Sequence, residues 1–163
     1  MTSIGARRVI VGVDETAGSR AALAFAMREA GLRGSVLDVI TAWTLTDDNR
    51  DDPSATGSGT GLPEGARQRA QQIQDRAVAQ TLQDFDPRPL LSRQVVEGHA
   101  GEVLLRLSRE ADFLVVGSSA SECLRPQTLG AVSDYCVRRA SCAVVVVRCP
   151  ASLTHTRVVE RAS

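Results

Sequence analysis

Two glycines frame the part of this chain best suited to chemistry. The stretch VVGSSASECLRPQTLGAVS, Val115 to Ser133, leaves an apolar run at Gly117, passes Ser118, Ser119 and Ser121, and returns through Gly130. Glycine lets backbone N–H groups come close to a phosphate, sometimes with positive φ, and hydroxyls can donate to its oxygens. Gly130 also precedes a helix-like segment, whose N-terminus offers unpaired N–H groups and a favourable dipole to an anion. The chemistry suggested is the holding of a phosphate. A second candidate, Asp14, closes the apolar run VIVGV near the N-terminus. Each has a plainer alternative. The glycines can serve tight turns alone, and Asp14 can cap the helix that follows it.

Other chemistries find little support. Nineteen basic residues balance nineteen acidic ones, which gives no electrostatic footprint for nucleic acid or an anionic membrane. Aromatics make up 3% of the residues, too few for base-stacking platforms. Four cysteines (Cys123, Cys136, Cys142 and Cys149) are spaced too widely for a CxxC motif and read as free thiols. Two histidines, His99 and His155, sit in no ligand pattern, so no metal site is expected. His99 reads as a surface or capping residue, Arg125 as a solvated arginine and Cys123 as a spectator thiol. Neither GxSxG nor GxxxxGK[ST] occurs. No apolar run approaches the ~20 residues of a membrane span. The N-terminus lacks a signal-peptide layout, so a cytoplasmic location is expected.

The elements that must position these residues alternate. Strands are expected at Arg7–Val13, Ser35–Trp43, Leu90–Val96, Asp112–Gly117 and Cys142–Arg148, where apolar or β-branched residues run together. Helices are expected at Ser19–Ala30, Glu64–Asp84, Ala100–Ala111 and Leu129–Arg139. Residues 1–150 form one domain and 151–163 a tail. Within the domain, Thr44–Gly65 is rich in Asp, Gly, Ser and Thr, and reads as a mobile loop that limited proteolysis should nick first. Continuous apolar strands alternating with helices imply an α/β fold: a five-stranded parallel sheet covered on both faces. Val9–Val13, Phe113–Val116 and Val144–Val147 lack a polar face, so strands one, four and five are expected to be almost fully buried in the assembled protein. In a flavodoxin-like sheet of order 3-2-1-4-5, ligands bind where the winding reverses, between strands one and four. Asp14 and Gly117 lie just past those strands.

With these elements in place, the chain resembles the universal stress protein family over about residues 6–149. The resemblance is carried by VIVGVDETAGSRAALAFA, LDVITAW, ADFLVVGSS and LGAVSDYCVRRASCAVVVVR. It implies the 3-2-1-4-5 order, a cytoplasmic stress-response regulator, a homodimer through strand five and, in one branch, ATP binding. That branch carries a loop of Gly, two residues, Gly, nine residues, Gly and Ser or Thr. Gly117 and Gly130 take the first and last glycine positions, but Ala120 replaces the second glycine and Ala131 the hydroxyl residue. By the same resemblance, Asp14 lies near adenine and ribose, and Ala42 where adenine packs, with Thr41 in place of a frequent histidine. Ser133 matches a phosphate-contacting hydroxyl. The nucleotide set implied is thus Asp14, Ala42, Gly117, Ser118, Ser119, Ala120, Gly130, Ala131, Val132 and Ser133.

The departures carry a cost. An alanine forced into the left-handed region costs roughly 1–2 kcal/mol. A lost hydroxyl bond to a charged phosphate costs roughly 1.5–3 kcal/mol. If the two add, affinity falls ~60-fold to several-thousand-fold, unless Ser118, Ser119 or Ser121 restores contacts. Three readings stand at this point: a regulator that binds ATP or a related adenine nucleotide, a nucleotide-independent dimeric scaffold with an unknown protein partner, and a weak ATP hydrolase. The absence of an evident base or Walker lysine counts against the last.

Overall fold

The β-branched runs form the sheet that their patterning implies. The computed structural model describes residues 7–45, 63–118 and 129–148. The strands are β1 (Arg8–Gly12), β2 (Val36–Trp43), β3 (Leu91–Glu97), β4 (Phe113–Gly117) and β5 (Ala143–Val147). The helices are α1 (Ala17–Arg33), α2 (Pro63–Leu82), α3 (Ala100–Leu107, continued by a 3-10 turn over Ser108–Glu110) and α4 (Ala131–Arg139). All strand pairs are parallel, in the order β3-β2-β1-β4-β5. The greater part of the Thr44–Gly65 excursion and the tail 151–163 lie outside the described residues.

Two-residue alternation along the strands divides the core. Val9, Val11, Val39, Phe113 and Val115 pack with α1 and α2 on one face. Ile10, Ile40, Leu114 and Val116 pack with Val103, Leu104 and Cys136 of α3 and α4 on the other. Burial, and secondarily the proximity of Cys142, pushes the Cys136 thiol up to about 11, so it stays protonated at neutral pH. Neither Cys136 nor Cys142 is in a disulfide.

The burial expected of strands one and four is met within the single chain. β1 and β4 lie inside the sheet, and Val9, Ile10, Val11, Leu114 and Val115 are fully buried. In the single chain β5 is only half-buried along Val144–Val147. It is an edge strand, paired with β4 alone, and apolar sequence does not cover an edge by itself.

Helix limits follow local chemistry. α1 runs past Ala30, through Gly31, to Arg33. Gly34 ends it at φ 61°, with its N–H directed to the carbonyls of Ala30 and Gly31, and Ser35 N–H donates to Ala30 O at 2.9 Å. This left-handed closure suits glycine. α2 starts one residue earlier than expected, at Pro63, a first-turn position where the missing N–H costs nothing. Its buried face includes Gln74, whose Nε2 donates to the carbonyls of Val39 and Gln94 at 3.1 and 2.9 Å. Gln74 thereby fixes α2 to β2 and β3. No helix among the described residues is long and apolar enough to cross a membrane.

Candidate functional site

Parallel strands send their carboxyl ends to one edge of the sheet, and β1 and β4 end side by side there. A cavity of about 280 Å³ opens at this edge. Its apolar wall comes from Ile40 and Ala42 of β2 and from Ala100 and Leu104 of α3. A Cβ on Gly12 would lie 2.8 Å from Leu104 Cδ1, so the end of that side chain would have to turn aside. Asp14 and Thr16 form one rim, and Gly130 to Ser133 form the opposite one.

The Asp14 rim is built by side chains that reading by sequence missed. Asp14 is exposed, and its Oδ1 accepts from the Thr16 backbone N–H at 2.8 Å and from Thr16 Oγ1–H at 2.6 Å. Thr16 is the N-cap of α1, its Oγ1 accepting from Ser19 N–H at 3.1 Å. Asp14 therefore does not cap α1; it orients the residue that does. Asp14 N–H in turn donates to Ser19 Oγ at 2.8 Å. Oδ2 of Asp14 accepts no hydrogen bond from the described residues, which leaves an acceptor at the cavity mouth. Thr16→Ala is expected to cost about 1 kcal/mol through loss of the cap. That corresponds to a Tm lower by about 3 °C in calorimetry, with Thr16→Ser close to wild type.

The opposite rim is the start of α4. Gly130 is its N-cap, with no side-chain capping bond. Its first turn closes with Asp134 N–H donating to Gly130 O at 2.8 Å. The N–H groups of Ala131, Val132 and Ser133 are thus without intrahelical acceptors, beside the cavity that these residues line. Asp134 sits in the same turn, but Arg138 Nε donates to both of its oxygens, at 2.9 and 2.8 Å. This hydrogen bond holds the Asp134 carboxyl below its usual range and offsets its charge near the helix start.

Several residues expected at a phosphate are otherwise engaged. Ser133 is buried and its Oγ–H donates to Gly117 O at 2.8 Å, joining α4 to the end of β4. Ser118 is buried and its N–H donates to Val147 O at 2.9 Å, extending the β4–β5 ladder. Gly117 lines the cavity, and its small size has a separate cause. A Cβ on Gly117 would lie 2.3 Å from Gly18 C, and one on Gly18 would lie 1.8 Å from Ser118 O. The end of β4 and the first turn of α1 meet backbone to backbone. Gly117 is also not at positive φ, which among the described glycines is confined to Gly34 and Gly98.

The structure thus brings Asp14, Ala42, Gly117, Gly130, Ala131, Val132 and Ser133 to one cavity. Ser119 and Ala120, with Ser121, Cys123 and Arg125, lie outside the described residues. Thr41 does not stand beside Ala42 at the cavity. It is buried under α2, its Oγ1 accepting from Gln74 Nε2 at 3.2 Å, because neighbouring strand residues face opposite sides. His99 is exposed at the N-cap position of α3 and makes no side-chain capping bond. Among the described residues no group of three or more His, Cys, Asp or Glu is placed to hold a metal ion.

Residues 5–148 match the universal stress protein family. The fold is similar to that of a universal stress protein family protein from Arabidopsis thaliana with AMP bound. Identity is 18%, TM-score 0.58, and 93% of this chain and 97% of that chain are covered. It is likewise similar to the universal stress protein from Archaeoglobus fulgidus in complex with dAMP, at 17% identity and TM-score 0.62, covering 86% and 97%. A universal stress protein in complex with cAMP is 24% identical at TM-score 0.56, covering 88% and 97%. At these identities the likeness speaks for the fold.

Proposed function

The chain belongs to the universal stress protein family, and from that premise we propose that it binds an adenine nucleotide at the β1/β4 edge and acts as a ligand-dependent regulator. One observation carries this reading: the first turn of α4, whose N–H groups have no intrahelical acceptors, and the apolar wall of β2 and α3 line the same cavity. The base packs against Ile40, Ala42 and Leu104. Oδ2 of Asp14 accepts from a ribose hydroxyl, and a phosphate sits at the N–H groups of Ala131 to Ser133. The AMP, dAMP and cAMP complexes of similar proteins support the adenine class; ATP is the larger member of it. Mass spectrometry of small molecules released from gently purified protein tests the proposal. An adenine nucleotide at near-stoichiometric amount is expected. Its absence, together with no uptake of added AMP or ATP, counts against it.

A second reading, a nucleotide-independent dimeric scaffold, is favoured by a different observation. The Ser133 hydroxyl and the Ser118 N–H are already engaged within the protein, and Ala131 offers no hydroxyl. In either reading the protein is a homodimer acting in the cytoplasm, as family membership supports. β5 supplies the contact because it is apolar, half-buried and at the sheet edge. Val145→Lys is therefore expected to shift the dimer toward monomer in sedimentation, with circular dichroism unchanged. A folded wild type that stays monomeric at high micromolar concentration would refute the β5 contact.

A further inference from the structure

A second depression lies on the other side of Asp14, between the first turn of α1 and the middle of α2. It has a volume of about 380 Å³, within the range of small-ligand sites. α2 presents Arg69, Gln72, Ile73, Arg76, Ala77 and Gln80 to it. Their i, i+3, i+4, i+7 spacing is one helix face. α1 and the turn before it add Arg20, Asp14 and Glu15. Three guanidiniums thus face two carboxylates, an excess of positive charge in a chain with none overall.

The arginines are only lightly committed. Arg76 makes neither an ion pair nor a hydrogen bond with the described residues. Arg20 Nη1 donates to the backbone carbonyl of Glu15 at 3.1 Å. Arg69 donates to a single Glu15 oxygen, at 3.0 and 3.3 Å, with both side chains more than half exposed. Such a surface pair contributes at most about 1 kcal/mol, less than a bidentate bond between guanidinium and phosphate. Arg69 and Arg76 are two helical turns apart, about 10 Å along the axis. That span suits an anion with several phosphates better than a single one. We infer that the α1/α2 groove is a second anion site, taking an oligophosphate or a ligand that carries one, and meeting the nucleotide cavity at Asp14.

Anion binding in this groove does not depend on nucleotide binding, and one titration separates the two sites. The probe is inorganic tripolyphosphate, titrated into the full-length protein at low salt with amide NMR as readout. Shifts are expected at Glu15, Arg20, Arg69 and Arg76, with saturation below about 1 mM and weakening as salt is raised. Arg69→Gln with Arg76→Gln should weaken binding about tenfold or more, and Arg67→Gln with Arg106→Gln, an equal charge loss away from the groove, less than about twofold. No saturable shift would overturn the site. So would shifts confined to Ala131–Ser133, or equal weakening by the two double variants.

Discussion

Gly18→Ala is expected to destabilise the fold by about 3 kcal/mol or more, the upper end of overpacking effects. The added Cβ would fall 1.8 Å from the Ser118 carbonyl oxygen and 2.9 Å from its carbon. No rotamer relieves this, because both partners are backbone. The first turn of α1 and the end of β4 would have to separate, and with them the two rims of the cavity. Gly117→Ala meets the same contact from the other side. Gly31→Ala is the control: nothing lies within 4 Å of the added atom. Alanine inside a helix is better than glycine by about 1 kcal/mol. Urea unfolding of the three variants decides. If Gly18→Ala lies within about 0.5 kcal/mol of wild type, the range of ordinary surface substitutions, the backbone contact is not as described.

The second large effect is a gain. Ala131→Ser places a hydroxyl in the first turn of α4, beside N–H groups without intrahelical acceptors, on a residue that already lines the cavity. One added hydrogen bond to a charged phosphate contributes about 1.5–3 kcal/mol, or ~10- to ~150-fold in affinity. Combining it with Ala120→Gly should preserve or enlarge the gain. Asp14→Ala in that background should reduce it by removing the ribose acceptor. Calorimetric titration with ATP compares the set. An Ala131→Ser variant that binds no tighter than wild type would mean that phosphate does not lie at the α4 terminus.

How much of this was legible in the sequence depended on how local the cause was. The sheet was legible because β-branched runs such as VIVGV and FLVVG make their own pattern. The strand order came from the family resemblance and from crossover rules rather than from any single residue. The partial exposure of β5 follows from that order, which sets the strand at a sheet edge, although its apolar run alone reads alike in the centre and at the edge of a sheet. The opposite facing of Thr41 and Ala42 was available from strand alternation alone. The capping by Thr16 was also within reach, because Thr before AGS at a helix start is an ordinary N-cap signal. The meeting of Gly18 with Gly117 was not, since it joins residues far apart in the chain and depends on how closely α1 approaches β4. For the same reason Ser133 and Ser118 read as open phosphate contacts, whereas packing engages them with Gly117 and Val147.

The proposed function depends on an adenine nucleotide occupying the edge where β1 and β4 end. Amide NMR on titration with AMP, repeated with ATP, tests it most directly. Saturable shifts are expected at Gly12, Val13 and Asp14 and at Ala131, Val132 and Ser133, with Arg8 and Val36 at the far end of the strands unmoved. Unchanged spectra with millimolar nucleotide, or shifts that leave both rims untouched, would contradict it.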